Sequence, residues 1–411
     1  MPELKIELIT VGDEILIGHT LDSNSNWIAG RLSQHGLRLR WHSTVGDDAS
    51  DLRHQIRRAW NRADIVILTG GLGPTHDDIT RAVVARFFND ELVVRSDLAG
   101  MIAERFALRG MKPPPGCERL AEFPSRAEPI LNAHGSAPGI HYQQDGKELF
   151  ALPGVPVEMR GMVEDYVIPR ITARRGETFR FRVFRTAGVG ESNLSDLIGD
   201  PRRLEPVTLA FLPSIDHGVT IRISLTGSDE GDVEVELDRA AAIIRERVGE
   251  YVYTEDARTL EEVLLEQFRR RGWKLAVAES CTGGMICDRL VSIAGSSDVF
   301  ERGFITYSNR AKVELLGVPA DILEEHGAVS SETAAAMANG ARERAGVDVA
   351  LSVTGIAGPT GGTKDKPVGL VYAGFAGPSG TVAERYRFSG DRNTNRRRSA
   401  HAALNLLRRN L

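Results

Sequence analysis

Ala278-Glu279-Ser280-Cys281-Thr282-Gly283-Gly284 follows the apolar run Leu275 to Ala278 and precedes a helical pattern of Met285, Ile286, Leu290 and Ile293. It therefore reads as a strand-to-helix turn with free backbone N–H groups nearby, the unit from which α/β folds are built. A serine on such a turn is a poor nucleophile until a base takes its proton, and a lysine does so where desolvation lowers its pKa. Downstream, Thr306-Tyr307-Ser308-Asn309-Arg310-Ala311-Lys312 supplies a lysine. Ser280 and Lys312 are the candidate nucleophile and base. Cys281 is the rival, being the more reactive atom near neutral pH, although no histidine lies nearby in sequence to activate it. From the residues alone, Tyr307 reads equally well as a strand aromatic buried in the core.

Further along stand Gly295-Ser296-Ser297, Gly327-Ala328-Val329-Ser330, Thr354-Gly355-Ile356-Ala357-Gly358-Pro359 and Lys366-Pro367-Val368-Gly369. With these motifs in order, the segment from about Thr259 to Leu411 resembles the CinA C-terminal family, the nicotinamide mononucleotide deamidases. The resemblance implies a Ser/Lys amidohydrolase needing no cofactor, with Ser280 as nucleophile, Lys312 as base and Tyr307 alongside. Thr282, Gly283, Ser297, Thr354 and Gly355 are expected to line its substrate pocket. Thr354, Gly355 and Gly358 read as a turn at a strand's carboxyl end, where exposed N–H groups would receive a phosphate or an oxyanion.

A chain of 411 residues is too long for one ordinary core, and 42% hydrophobic with 26% charged residues is ordinary for a globular protein. The net charge of -5 argues against a general nucleic-acid binder, which would usually carry a basic face. Three cysteines, Cys117, Cys281 and Cys287, cannot all pair and lack metal-ligand spacing, as befits a reducing cytoplasm. The first residues, Met1-Pro2-Glu3-Leu4-Lys5, lack a basic region leading into an apolar one, and no apolar stretch reaches the roughly 18 residues that span a bilayer. The expected location is cytoplasmic, with no membrane partner, and the expected assembly is a homodimer.

Toward the N-terminus, the apolar runs Leu4 to Val11, Asp64 to Thr69 and Glu148 to Leu152 alternate with helical patterns at Ser25 to His35 and Ala49 to Trp60. Strands separated by helices imply parallel pairing, with ligands at the strands' carboxyl ends. Those ends carry Gly12-Asp13-Glu14, Val45-Gly46-Asp47-Asp48 and Gly70-Gly71-Leu72-Gly73-Pro74-Thr75-His76-Asp77-Asp78. Gly70, Gly71, Gly73 and Thr75 suit a phosphate, since glycines let backbone amides approach it. Asp13, Glu14, Asp47, Asp77 and Asp78 would repel that phosphate unless a divalent cation such as Mg2+ or Co2+ stood between. The bland alternative is that Asp77 or Asp78 caps the following helix.

These motifs, with Thr20 to Asn26 and Leu152-Pro153-Gly154-Val155-Pro156, resemble the CinA N-terminal domain, which is related to molybdopterin-binding domains of MogA and MoeA type. That resemblance implies a metal-dependent ADP-ribose pyrophosphatase. One departure is Cys117-Glu118-Arg119-Leu120, where relatives tend to carry Asn-x-x-Gln before the Phe-Pro step, and it puts the substrate range of this site in question.

Between about Thr172 and Glu255 the pattern runs β-α-β-β-α, with an Asp216-His217-Gly218 turn. It resembles the KH-like middle domain of CinA proteins. Gly188-Val189-Gly190-Glu191 puts a carboxylate where an RNA-binding loop would want neutrality or positive charge, so it reads as a spacer. The expected organisation is a MogA-like three-layer α/β domain over 1–168, a small α+β KH-like domain over 169–255 and an α/β deamidase domain over 256–411. Nicotinamide mononucleotide and ADP-ribose are the expected substrates, in the recycling of pyridine nucleotides. A rival class is a competence- or damage-related binding module whose N-terminal domain only holds a pterin or nucleotide. Lys112-Pro113-Pro114-Pro115-Gly116 reads as a stiff surface connector. Arg396-Arg397-Arg398 reads as a solvated face from which one arginine would meet a substrate phosphate.

Overall fold

A computed structural model describes residues 4–108, 110 and 117–411; the proline run lies outside them. The chain forms two compact units, Met1–Arg180 with Thr226–Val233, and Phe181–Leu225 with Glu234–Leu411. Among the described residues no helix is long and apolar enough to cross a membrane.

The first unit is built on strands β1 (Ile6–Val11), β2 (Leu39–Val45) and β3 (Ile65–Thr69), a small antiparallel pair β4 (Leu92–Val94) and β5 (Glu122–Pro124), then β6 (Glu128–Ile130), β7 (Gly139–Gln144) and β8 (Lys147–Leu152). The six-stranded sheet has the order β2-β1-β3-β8-β7-β6. Its first four strands are parallel as expected, but β7 pairs antiparallel with both β8 and β6. The tight Asp145-Gly146 turn between β7 and β8 allows no crossover helix, which is why this edge departs from parallel pairing. Both faces are covered. Ile9, Val11, Val66 and Leu68 point to one apolar layer and Ile6, Leu8, Ile65 and Ile67 to the other, the period-two alternation of a strand buried on both sides. Helices Ser23–Gln34 and Ala49–Arg62 stand where the sequence places them, and Asp48 caps the second by accepting from the Ser50 and Asp51 N–H groups.

The second unit begins with an antiparallel sheet of order β10-β11-β9-β12, from β9 (Thr178–Thr186), β10 (Thr208–Ser214), β11 (Gly218–Gly227) and β12 (Val252–Thr254). The parallel-edged C-terminal sheet has the order β14-β13-β15-β16-β17, from β13 (Leu275–Glu279), β14 (Phe300–Ile305), β15 (Val349–Gly355), β16 (Leu370–Gly377) and β17 (Gly380–Arg387). Leu275, Val277, Val349 and Leu351 bury against helices Leu260–Arg271 and Arg392–Arg409, while Ala276, Ala278 and Ala350 face the helix Ser331–Ala345. Each fully buried leucine or valine in such layers contributes about 1.5–3 kcal/mol. Ala187 and Tyr253 of the middle segment belong to the same core as Leu260 and Phe268.

Candidate functional sites

The strand β13 ends in two buried polar residues. Glu279 is fully buried, and its carboxylate accepts from the Gly284 and Cys287 backbone N–H groups, both at 2.9 Å. It thereby closes the Ser280–Gly284 turn onto the first turn of the helix Met285–Val291, where a negative charge is favoured. Ser280 follows, buried, with its N–H donating to the Val353 carbonyl at 3.0 Å. Across the sheet edge, Ser308 caps the helix Asn309–Leu316 by accepting from Ala311 N–H, which sets Lys312 on the inner side of the first turn.

Lys312 is 1% exposed. Its Nζ lies 3.2 Å from Ser280 Oγ, 2.9 Å from the Thr306 carbonyl and 3.5 Å from the Tyr307 carbonyl. Burial, opposed by the nearby Cys281 sulfur, holds the ammonium below the ordinary lysine range. A neutral amine has two N–H donors and one lone pair. The two carbonyls take the donors, and the lone pair is left facing the serine hydroxyl. Cys281 is also buried, but burial pushes its thiol up to about 12, so little thiolate forms at neutral pH.

Tyr307 is not core: it lies beyond β14, 65% exposed, with its phenol oxygen 3.3 Å from Arg392 Nη2. Two arginines thus reach the rim of the turn, Arg392 at Tyr307 and the Gly358 carbonyl, and Arg396 donating to the Thr282 carbonyl at 2.7 Å. Thr282 is fully buried, and its Oγ1, like that of Thr306, has no hydrogen-bond partner among the described residues. Gly283 continues the turn in the left-handed region.

Of the expected pocket residues, Thr354 and Gly355 stand next to Val353, whose carbonyl takes the Ser280 N–H, but in a strand instead of an open turn, and Ser297 lies farther off. Ser297 sits just before β14, whose first residue pairs with Leu275 at the start of β13, whereas Ser280 follows the end of β13. Within one chain the two serines are separated by the length of the strand, about 16 Å at some 3.3 Å per residue. The expectation for Ser297 rests on the family resemblance of Gly295-Ser296-Ser297, not on a local signal for its distance to Ser280. Thr354 and Gly355 belong to β15 itself, paired with Tyr372 and Val371, and the Thr354 hydroxyl donates to the Ala328 carbonyl at 2.6 Å. They form no open turn, because the strand runs two residues further than its apolar run.

In the first unit, β1, β2 and β3 bring their loops to one cavity of ≈ 510 Å³ lined by Glu14, Asp47, Gly70, Gly71, Gly73, Asp77 and Asp78, with Phe106, Cys117, Leu120 and Glu158 opposite. Neither Asp77 nor Asp78 caps the helix Thr80–Phe87. Asp78 accepts from Gly73 N–H at 2.7 Å, Thr75 N–H at 2.9 Å and the Thr75 hydroxyl, so it braces the glycine loop. A Cβ at Gly73 would stand 2.5 Å from that carboxylate, and one at Gly70, whose φ is +114°, would stand 2.1 Å from the Val11 carbonyl. Asp13 and Asp47 each accept from the other's backbone N–H, at 3.2 and 3.0 Å. Burial, then the like charges of Asp13, Glu14 and Asp77, push the Asp47 carboxyl above its ordinary range despite the Asp13 N–H. Among the described residues no three acidic, histidine or cysteine side chains converge to hold a metal ion by themselves. The oxygen donors of Glu14, Asp47 and Asp77 nonetheless suit a hard cation, which typically takes one or two carboxylates together with substrate phosphates. Leu120 and Cys117 give this cavity an apolar wall.

Residues 257–411 match the CinA C-terminal domain, 7–173 the probable molybdopterin binding domain, and 181–254 the damage-inducible protein CinA KH domain. A putative competence-damage inducible protein of Caldicellulosiruptor saccharolyticus is 42% identical over 98% of both chains. The chain belongs to the CinA family. A CinA-like protein of Geobacter metallireducens is 41% identical over 99% of both. The crystal structure of competence/damage inducible protein CihA from Agrobacterium tumefaciens, 42% identical, covers 36% of this chain and 92% of that one with a TM-score of 0.36. As a CinA protein the chain carries a molybdopterin-binding-like first domain, a KH-like second and a CinA C-terminal third, in the expected order. In the KH-like segment Gly188 packs against Asn405 of the last helix, consistent with a spacer loop.

Sequence reasoning gave Glu279 no role, although it stands inside the quoted turn. Its signal was a carboxylate in an otherwise apolar strand, immediately before a helix start. Arg396 belongs to the basic run from which one arginine was expected at a phosphate, whereas Arg392, outside that run, was missed.

Proposed function

We propose that the C-terminal domain hydrolyses the carboxamide of nicotinamide mononucleotide, giving nicotinate mononucleotide and ammonia. The observation that carries this reading is the buried Lys312 Nζ, 3.2 Å from Ser280 Oγ. In the proposed course, Ser280 Oγ attacks the carboxamide carbon while Lys312 takes its proton. The C–N bond then breaks, Lys312 returns the proton to the departing nitrogen, and ammonia leaves an acyl-enzyme on Ser280. Water, deprotonated by the same lysine, releases the carboxylate. N–H groups of Thr282 and Gly283, with the unpartnered Thr282 hydroxyl, are the candidate oxyanion donors. Arg392 or Arg396 would receive the phosphate. Ammonia release from nicotinamide mononucleotide by the purified protein, lost in Ser280→Ala, tests the reading; a wild-type chain that releases none rejects it.

A second activity, cleavage of ADP-ribose to AMP and ribose 5-phosphate, fits the cavity of the first unit, where a glycine loop faces repelling carboxylates. A divalent metal taking one or two of the carboxylates Glu14, Asp47 and Asp77 together with the substrate's own phosphates would neutralise charge on the pyrophosphate and lower the pKa of water. Asp13 and Asp78 shape the loops that present those ligands. Calorimetric binding of ADP-ribose beside a product-release assay separates this activity from a domain that only holds a pterin or nucleotide. Both activities are proposed for a cytoplasmic homodimer.

A further inference from the structure

The hairpin turn between β10 and β11 belongs to the KH-like segment and reaches the C-terminal domain of the same compact unit. Its Asp216 makes two kinds of contact there. The carboxylate takes both prongs of the Arg397 guanidinium, Oδ1 from Nε at 2.7 Å and Oδ2 from Nη2. The backbone carbonyl accepts from Arg289 Nη2 at 2.7 Å, and Arg289 also pairs with the buried Glu261.

Those two arginines stand on the two helices that frame the nucleophile turn. Arg289 lies in the second turn of the helix that starts directly after Gly284. Arg397 neighbours Arg396, which holds the Thr282 carbonyl at 2.7 Å, on the helix Arg392–Arg409. Successive residues of a helix point about 100° apart, so fixing the direction of Arg397 fixes that of Arg396. Arg396 in turn fixes Thr282, two residues from Ser280. A nucleophile and its base must be held within a fraction of an ångström, and a 1 Å displacement can cost about a hundredfold.

We propose that Asp216 is a positioning residue for the C-terminal active site: one middle-domain residue gripping both helices that aim Ser280 at Lys312, its carboxylate holding Arg397 and its backbone carbonyl Arg289. The proposal rests on the deamidase reading for its kinetic consequence, but its physical content, ordering of the Ser280–Gly284 turn, does not. Two-pronged arginine–carboxylate pairs are directional, so an amide in place of the carboxylate keeps the size and loses the grip.

The test uses the full chain with Asp216→Asn, Asp216→Glu and Arg397→Gln. In Asp216→Asn, kcat for nicotinamide mononucleotide should fall about tenfold with KM within about twofold, and the acid limb of the pH profile should not move. A changed field at Lys312 would shift that limb, whereas a misplaced serine lowers only the plateau. Amide exchange at Gly284 and Cys287, whose N–H groups Glu279 holds, should accelerate about tenfold. Asp216→Glu should recover most of both effects, and Arg397→Gln should reproduce them from the other side of the pair. Wild-type exchange at Gly284 and Cys287 in both Asp216→Asn and Arg397→Gln would overturn the proposal. So would equal losses in Asp216→Glu and Asp216→Asn, which would mark the turn as packing alone. If the wild-type chain releases no ammonia, the deamidase reading fails and amide exchange still decides the role of Asp216.

Discussion

Lys312 Nζ stands 3.2 Å from Ser280 Oγ, and its other contacts are two backbone carbonyls with no carboxylate among its partners. An amine placed this way gains little from being charged and loses hydration if it is. It is suited to accept a proton from the one hydroxyl it faces.

Ser280→Ala and Lys312→Ala should each lower deamidation by about three orders of magnitude, and the double variant should be little worse than either, because the two act as a unit. Cys281→Ala should keep turnover within a few-fold, since its thiol is held at about 12. Initial rates of ammonia release check all four. Near wild-type turnover in Ser280→Ala would remove the serine as nucleophile.

The pH profile follows from the same contact. Burial lowers the Lys312 pKa, and the base works only when neutral. Deamidation should therefore rise with pH through the folded-state pKa and level off before the ordinary lysine range. For stability the folded pKa is the lower one, so the folded chain binds fewer protons, and Lys312 destabilises increasingly as pH falls. Lys312→Met should accordingly gain in melting temperature relative to wild type as pH is lowered from about 10 to about 6. A gain that shrinks over that range would contradict a buried, unpaired amine.

Glu279 offers a test of the turn. Its two oxygens satisfy two helix-start N–H groups at zero exposure. Glu279→Gln keeps one acceptor and turns the other into a donor aimed at a donor. It should cost about 1–3 kcal/mol in stability and lower kcat more than it raises KM. Chemical denaturation and Michaelis curves check both. A variant with wild-type values in each would show that the carboxylate is dispensable.

How much of this was legible in the sequence depended on range. The strand, the glycine turn and the helix around Ser280 are local, and their pattern is written in Leu275 to Leu290. Lys312 was found in the run Thr306 to Lys312 and carried by that run's family resemblance, while the Ser308 cap that orients it is seen only in the structure. Ser297 came from the resemblance alone, and no local pattern showed that it precedes β14 at the opposite end of β13 from Ser280. Thr354 and Gly355 look like a turn in the sequence but continue β15 beside Ser280, where a cross-strand partner outweighed local preference. Asp78 read as a ligand or a cap, and only the folded loop shows it serving Gly73 and Thr75. The Asp216–Arg397 pair spans 181 positions and leaves no local trace.

Metal removal should separate the two activities. The carboxylates Glu14, Asp47 and Asp77 surround the glycine loop of the first unit, while the Ser280 site offers hydroxyls, amides and one lysine. A chelator should stop ADP-ribose cleavage and spare deamidation, and Asp47→Asn should weaken the metal's effect on ADP-ribose cleavage with no effect on ammonia release. Equal inhibition of both reactions by chelator would show this division to be wrong.

Acid should destabilise the second unit through His401. The ring lies 9% exposed on the last helix, against Gly218 of the β10–β11 hairpin, and neither ring nitrogen has a hydrogen-bond partner among the described residues. Burial, with the positive charge of Arg289 and the neighbouring His217, lowers its pKa from 6.5 to about 4. The folded pKa is below the unfolded one, so the stabilising balance is fully present above the unfolded value and is lost as pH falls toward the folded value. Over that window the unfolded chain gains about 1.4 kcal/mol for each pH unit. His401→Gln keeps a polar side chain of similar reach but cannot take up the proton. Its denaturation midpoint should be lower than wild type near pH 7 and should fall less steeply toward about pH 4.5. His217, also lowered by burial, should leave a shallower residual slope in that variant. Far-UV dichroism against denaturant at several pH values gives the comparison, and parallel acid limbs in wild type and His401→Gln would show that His401 is already protonated in the folded chain.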